Sequence, residues 1–303
     1  MAGKVIMWNY VRKRFQLLNE NLLLKDEQIE DARTKLKGII STLNRSFWDH
    51  NDESRNAFLV GSWGKETVVR PPNDVDLFFI APNAIFDEFN GKTGNVQSQL
   101  LQRFRSSLLD RSPQTNIRGD GQVVVVGFNS LTIEVVPAFS ILGGGYNICD
   151  TNGGGRWKAV DPDAEIIEMN VADDQFRGNA RKLVRMIKQW ARHRSVPLKG
   201  FHIERLVKEF LGQTSYARND EYWFDWLVRD FFAFLIGRAN RGFLMPGTHI
   251  EWIDMGDAWK SKAEQAHTRT LNACDYEHRD IDILAGLEWE EIFGNMVPTT
   301  VTL

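Results

Sequence analysis

The chain has 303 residues, 43% of them hydrophobic and 25% charged, with 37 basic side chains against 40 acidic ones and a formal charge of −3. That apolar share supports a sizeable core and excludes general disorder, and the length suffices for one large domain or two fused lobes. The slightly acidic balance argues against a protein whose main partner is duplex nucleic acid. Cys149 and Cys274 lie far apart without Cys-x-x-Cys or Cys/His spacing, which argues against a disulfide scaffold or structural zinc. The first residues lack the apolar run of a signal peptide, and no stretch reaches the roughly 18 apolar residues of a membrane span. A soluble, cytoplasmic protein is expected.

Residues near 12–48 read as one long helix, because Ile29, Ala32, Leu36, Ile39, Ile40, Leu43 and Phe47 recur at steps of three and four. The period then changes. Ala57-Phe58-Leu59-Val60 runs into Gly61-Ser62, and Val75-Asp76-Leu77-Phe78-Phe79-Ile80 follows Pro71-Pro72-Asn73, which predicts two strands with a polar turn between them. A helix is expected over 96–110. Val123–Val126 and Leu131–Val136 flank Asn129-Ser130 as a hairpin. The glycine-rich interval from Gly143 to Gly155 reads as a flexible surface connection at a lobe boundary. Beyond it the pattern is helical over roughly 163–194, 201–212, 220–238 and 256–275. The expected fold is α+β with two lobes, a mixed-sheet lobe over 1–160 and a helical lobe over 161–303.

Chemistry concentrates in Gly61-Ser62-Trp63-Gly64-Lys65-Glu66-Thr67 and Asn73-Asp74-Val75-Asp76-Leu77. Side chains alternate along a strand, so Asp74 and Asp76 share a face about 6–7 Å apart. Two neighbouring carboxylates repel unless a cation neutralises them, and hard oxygen ligands suit Mg²⁺. Glu134 is the one acid of the apolar run Leu131–Val136, where a buried unpaired charge is costly, and it completes a candidate two-metal site. The small Gly61-Ser62 turn leaves backbone N–H groups and a hydroxyl available for a triphosphate.

Downstream, Arg181, Arg185, Lys188 and Arg192 follow at steps of four, three and four, within about 60° of one another on a helix, while Leu183, Ile187, Trp190 and Ala191 fall on another side. The basic row is a solvated face or a phosphate contact. Other candidates are weaker. Gly91-Lys92-Thr93 lacks the earlier glycine of a P-loop. The histidines show no ligand pair at helical spacing, and Trp223, Phe224, Trp226, Leu227, Phe231 and Phe232 read as core.

The order Gly-Ser, eleven residues, Asp-x-Asp in a hydrophobic strand, then a lone acid in a later strand resembles the nucleotidyltransferase superfamily related to DNA polymerase beta. Within it, Gly61–Thr67 with Asp74-Val75-Asp76 resembles the oligoadenylate synthetases and the bacterial CD-NTases, relatives of cyclic GMP–AMP synthase. Glu134-Val135-Val136-Pro137-Ala138-Phe139 is similar to the third-acid strand, and Arg156-Trp157 with Asp161-Pro162 to the segment after it. Leu183–Trp190 is similar to the spine helix and Phe201–Val207 to the next helix. Trp259–Ala273 and Trp289–Pro298 resemble CD-NTase C-termini. Coverage runs from about 55 to 298.

The resemblance implies a two-lobed polymerase-beta-like enzyme whose catalytic and metal-binding residues are Asp74, Asp76 and Glu134. It implies two Mg²⁺ ions, with Mn²⁺ able to substitute. Gly61, Ser62, Lys65, Thr67, Arg185 and Lys188 are the implied nucleotide-binding residues, Lys188 as the triphosphate contact. The third acid of the family is most often Asp, and here it is Glu, one methylene longer. The implied reaction turns NTPs, ATP or GTP or both, into a cyclic di- or trinucleotide that acts as a second messenger in anti-phage (CBASS) signalling through a separate effector protein. Long nucleic acid and membrane are not expected partners, and a regulatory partner at the C-terminus is a further expectation. The competing readings are a linear 2′–5′ oligonucleotide synthase and a catalytically impaired nucleotide-binding sensor.

Overall fold

A computed structural model describes residues 9–110, 116–244 and 252–302. The opening residues read above for a leader, His249 and the final Leu303 lie outside the described residues.

The chain begins with helix α1 (Asn9–Leu22) and helix α2 (Asp26–Phe47), followed by strand β1 (Ala57–Leu59), the single turn α3 (Gly61–Gly64) and strand β2 (Asp74–Ile80). Helices α4 (Asn83–Asn90) and α5 (Val96–Leu109) precede strands β3 (Asn116–Asp120), β4 (Val123–Gly127), β5 (Thr132–Ser140), β6 (Tyr146–Asp150) and β7 (Arg156–Val160). Helices α6 (Pro162–Gln175), α7 (Asn179–His193), α8 (Gly200–Leu211) and α9 (Phe224–Ile236) follow. The short strands β8 (Gly242–Leu244) and β9 (Trp252–Asp254) pair with each other, and α10 (Lys260–His278) and α11 (Asp282–Phe293) close the described chain. The α+β class is as expected. No described helix is long and apolar enough to cross a membrane.

The expected single helix over 12–48 is two helices. The break has a local cause: the Gln28 side chain accepts the Lys25 backbone N–H at 3.0 Å, and Asp26 and Glu27 place negative charge in the first turn of α2. The break also separates two compact units. One comprises residues 24–167; the other gathers 9–23, 168–244 and 252–302 of the described residues. This division differs from the expected 160/161 boundary at both ends, because α1 packs with helices far along the chain and the division falls within α6.

In the first unit seven strands form one sheet of order β1-β2-β5-β4-β3, with β6 added to the far end of β5 and β7 to β6. Strands β2 and β5 run parallel and the other pairs antiparallel. The glycine-rich interval is therefore not a linker. Its glycines adopt positive φ at the two turns bounding β6, which shapes a hairpin instead of a flexible tether. One sheet face, carrying Val75, Leu77, Phe79, Val124, Val126, Ile133 and Val135, packs on Ala32, Leu36, Ile39, Ile40 and Leu43 of α2 and Leu100, Leu101 and Phe104 of α5. With its core on one side, the period of two leaves Asp74, Asp76 and Glu134 on the opposite face.

The second unit is mainly helical, with the β8–β9 pair added. The expected helix over 163–194 is broken by Arg177 and Gly178, both at positive φ, before α7 starts. Leu183, Ile187, Trp190 and Ala191 are buried as the spacing predicts, and Phe224, Leu227, Phe231 and Phe232 belong to the core.

Candidate active site

The sheet register assembles the acids. Asp76 lies directly opposite Glu134 across the parallel β2–β5 pair, and Asp74 lies opposite Thr132. Neighbouring strands are about 4.8 Å apart, so Asp76 and Glu134 are lateral neighbours while Asp74 is one side-chain repeat along the same face. Asp74 is exposed; Asp76 and Glu134 are half-buried. The Glu134 carboxyl is pushed above its ordinary range, first by burial and then by the negative charges of Asp76 and Asp74.

Two features of the Gly61–Thr67 segment position these acids. A Cβ on Gly61 would meet Asp76 Oδ2 at 1.9 Å, and Gly61 has φ of +57°, so only glycine lets the backbone approach the carboxylate this closely. The Trp63 indole donates from Nε1 to the Asp74 carbonyl at 2.9 Å, tying α3 to the start of β2. The backbone N–H of Val60 donates to the Asp76 carbonyl at 3.0 Å, which fixes the other side of the same turn.

The remaining expected residues are distributed differently. Ser62 is half-buried in α3, beside the acids in sequence and fold. Lys65 is only 5% exposed and donates to Glu165 Oε2 at 2.8 Å, and Thr67 is fully buried with its backbone N–H donating to the Ser62 carbonyl. Arg185 and Lys188 lie on α7 of the helical unit, where Lys188 donates to Glu204 Oε1 at 2.6 Å. Arg181, its neighbour on the basic row, pairs with Asp173 at 2.7 Å.

Sequence reasoning missed Trp63 as a positioning group, Glu165 as the partner of Lys65, and Arg118 and Asp120 as neighbours of the acids. Trp63 stood inside the quoted motif, but its contact is tertiary. The charges of Asp120 and Arg118 both act on Glu134, the first raising and the second lowering its proton affinity. Nothing in the isolated run Asn116–Asp120 signals that proximity.

The donor set fits a hard divalent cation. All three side chains offer oxygen and they share one face. Among the described residues no three His, Cys, Asp or Glu side chains already converge on one ion-sized point.

A family model for the Second Messenger Oligonucleotide or Dinucleotide Synthetase (SMODS) domain matches residues 10–172. A probable cyclic nucleotide synthase of Bacillus cereus (strain VD146) is 24% identical over 206 residues, a match that spans 58% of this chain and 60% of that protein's length. Among solved structures, CdnC of Escherichia coli MS115-1 in complex with HORMA-deltaN superposes with a TM-score of 0.70 at 17% identity, covering 94% of this chain and 98% of that one. DncV of Vibrio cholerae, a cyclic AMP-GMP synthase in complex with the linear intermediate 5′ pppA(3′,5′)pG, gives a TM-score of 0.64 at 15% identity, covering 96% and 88%. At these identities the structural likeness establishes a shared fold.

Proposed function

This chain belongs to the SMODS family, and from that premise we propose that it is a nucleotidyltransferase that builds a cyclic di- or trinucleotide from NTPs. The observation that carries the reading is the register that sets Asp76 beside Glu134, with Asp74 on the same face and Gly61-Ser62 against Asp76.

A ribose hydroxyl of one nucleotide attacks the α-phosphate of a second. The new O–P bond forms as the bond to the β-phosphate breaks and pyrophosphate leaves; the hydroxyl proton is lost. Glu134, opposite Asp76 on the acid face, is placed to take that proton. Asp74, Asp76 and Glu134 would hold the divalent cations, Mg²⁺ by their all-oxygen chemistry. When bound, such cations supply Lewis acidity and charge neutralisation at the phosphates. Ser62 and the α3 backbone orient the triphosphate. Arg185 and Lys188 retain their proposed place as phosphate contacts. Repetition of the step and ring closure give the cyclic product.

DncV and its linear adenine–guanine intermediate support purine NTPs as substrates, and CdnC with its HORMA partner supports a regulatory protein partner. Anti-phage signalling through a separate effector is the proposed context.

The test is incubation with labelled NTPs, singly and together, in Mg²⁺ and in Mn²⁺, followed by phosphatase. A phosphatase-resistant product that vanishes in Asp74→Ala/Asp76→Ala is expected. Phosphatase-sensitive ladders would favour a linear 2′–5′ synthase. Tight NTP binding without turnover, rescued by Glu134→Asp, would favour an impaired sensor.

A further inference from the structure

The acid face extends beyond the three carboxylates. Across four strands the register aligns Arg118 of β3 with Val125 of β4, Val125 with Glu134 of β5, and Glu134 with Asp76 of β2. Ile117 faces the core, so Arg118 and Asp120 face the same side as the acids. The two are exposed, at 59% and 64% of their side chains, and Arg118 Nη2 lies 3.9 Å from Asp120 Oδ2. Arg118 stands two strand spacings, about 10 Å, from Glu134. That matches the span of a nucleoside from its sugar hydroxyl to the far edge of its base. Val125 of β4 lies between them on the same face.

We infer that Arg118 and Asp120 read the base of the attacking nucleotide, and that the base is guanine. This rests on the nucleotidyltransferase reading above, because it needs a ribose hydroxyl at Asp76 and Glu134. A lone arginine near such a site could equally hold a phosphate. A carboxylate 3.9 Å away makes that arrangement poor for a polyanion and suitable for a group that offers acceptors and donors side by side. Guanine does this: its O6 and N7 accept from a guanidinium fork, and its N1–H and N2 amino group donate to a carboxylate. Adenine presents an amino donor beside N7, where the guanidinium would find a repulsive partner. Two residues spaced by one along a strand supply the two contacts on one face.

The experiment uses the full chain and equimolar ATP and GTP, with ITP and 7-deaza-GTP as probes that remove the N2 amino group and N7 respectively. Product base composition is compared for the parent, Arg118→Ala and Asp120→Ala. In the parent, 7-deaza-GTP and ITP are each used less well than GTP. In Arg118→Ala the preference for guanine over adenine falls on the order of tenfold to a hundredfold, and the penalty for 7-deaza-GTP disappears. In Asp120→Ala the ITP penalty disappears. Both residues are exposed, so melting temperatures should match the parent.

A parent that incorporates no guanine overturns the inference. So do variants that lower the overall rate while leaving base ratio and both analogue penalties unchanged, since that pattern belongs to a phosphate contact. If no product forms, the same analogue series is read as dissociation constants with Mg²⁺ present, with the same expectations. A chain that binds no NTP at all would instead remove the nucleotidyltransferase reading itself.

Discussion

Gly61→Ala separates the geometry of the acids from the stability of the fold. The added Cβ would lie 1.9 Å from Asp76 Oδ2 and 2.8 Å from Asp76 Cγ, so the carboxylate has to move by about 1.5 Å to reach an ordinary contact distance of 3.4 Å or more. The obstructing atoms belong to the end of a side chain, so the fold can yield there at little cost. The left-handed backbone at φ +57° adds about 1–2 kcal/mol for a residue with a Cβ. For a domain of this size that lowers the melting temperature by roughly 2–8 °C. Activity should respond far more, because a displacement of about 1 Å in a reacting constellation costs on the order of a hundredfold. The assay pairs thermal unfolding with initial rates of product formation over a series of Mg²⁺ concentrations. Loss of rate by a hundredfold or more with a modest melting shift is expected. Retention of rate within about threefold would refute the argument that the Gly61 backbone sets the position of Asp76.

Lys65→Met should act mainly on stability: it leaves Glu165, partly exposed, without its cation, and a loss of about 1–3 kcal/mol is expected in urea unfolding once solvent screening is allowed for. A variant that keeps its stability and loses only affinity for NTP would return Lys65 to direct phosphate binding. Trp63→Phe preserves the ring packing and removes the hydrogen bond to the Asp74 carbonyl; about 1 kcal/mol of stability and roughly tenfold in rate should be lost, and an unchanged rate would show that β2 holds Asp74 unaided. Asp225, fully buried in the helical unit, has its pKa raised to about 7 by burial, with Glu277 adding to the effect. Folded Asp225 therefore keeps a proton that the unfolded chain releases, so stability falls as pH rises from about 4 to about 7 and stays low above that. Asp225→Asn should flatten that fall, an effect of up to about 4 kcal/mol, and chemical denaturation at pH 5 and pH 8 checks it. An equal pH slope in both proteins would refute it.

Much of the site is legible in the linear chain. Asp74 and Asp76 share a face because strand geometry has a period of two, and Glu134 stands out because a lone acid in an apolar strand needs a reason. The hydrophobic period likewise places Leu36, Ile40 and Leu43 against the sheet and buries Leu183, Ile187 and Trp190. What local pattern does not carry is which strands become neighbours. Only the parallel β2–β5 pairing puts Asp76 opposite Glu134, and only the β3–β4–β5 ladder brings Arg118 and Asp120 into their electrostatic reach. The helix breaks near Leu23 and Gly178 escape periodicity because the apolar stripe resumes on the far side of each. The glycine run from 143 to 155 reads as a linker by composition and becomes a hairpin because β5 leaves an edge open for β6. Lys65 and Thr67 look like ligand contacts in the motif and turn inward in the structure, where Glu165 awaits the ammonium. Alternation and amphipathicity are properties of a segment and its own backbone. Register, ion pairing and burial belong to two segments at once, and they exist only after the chain has brought those segments together.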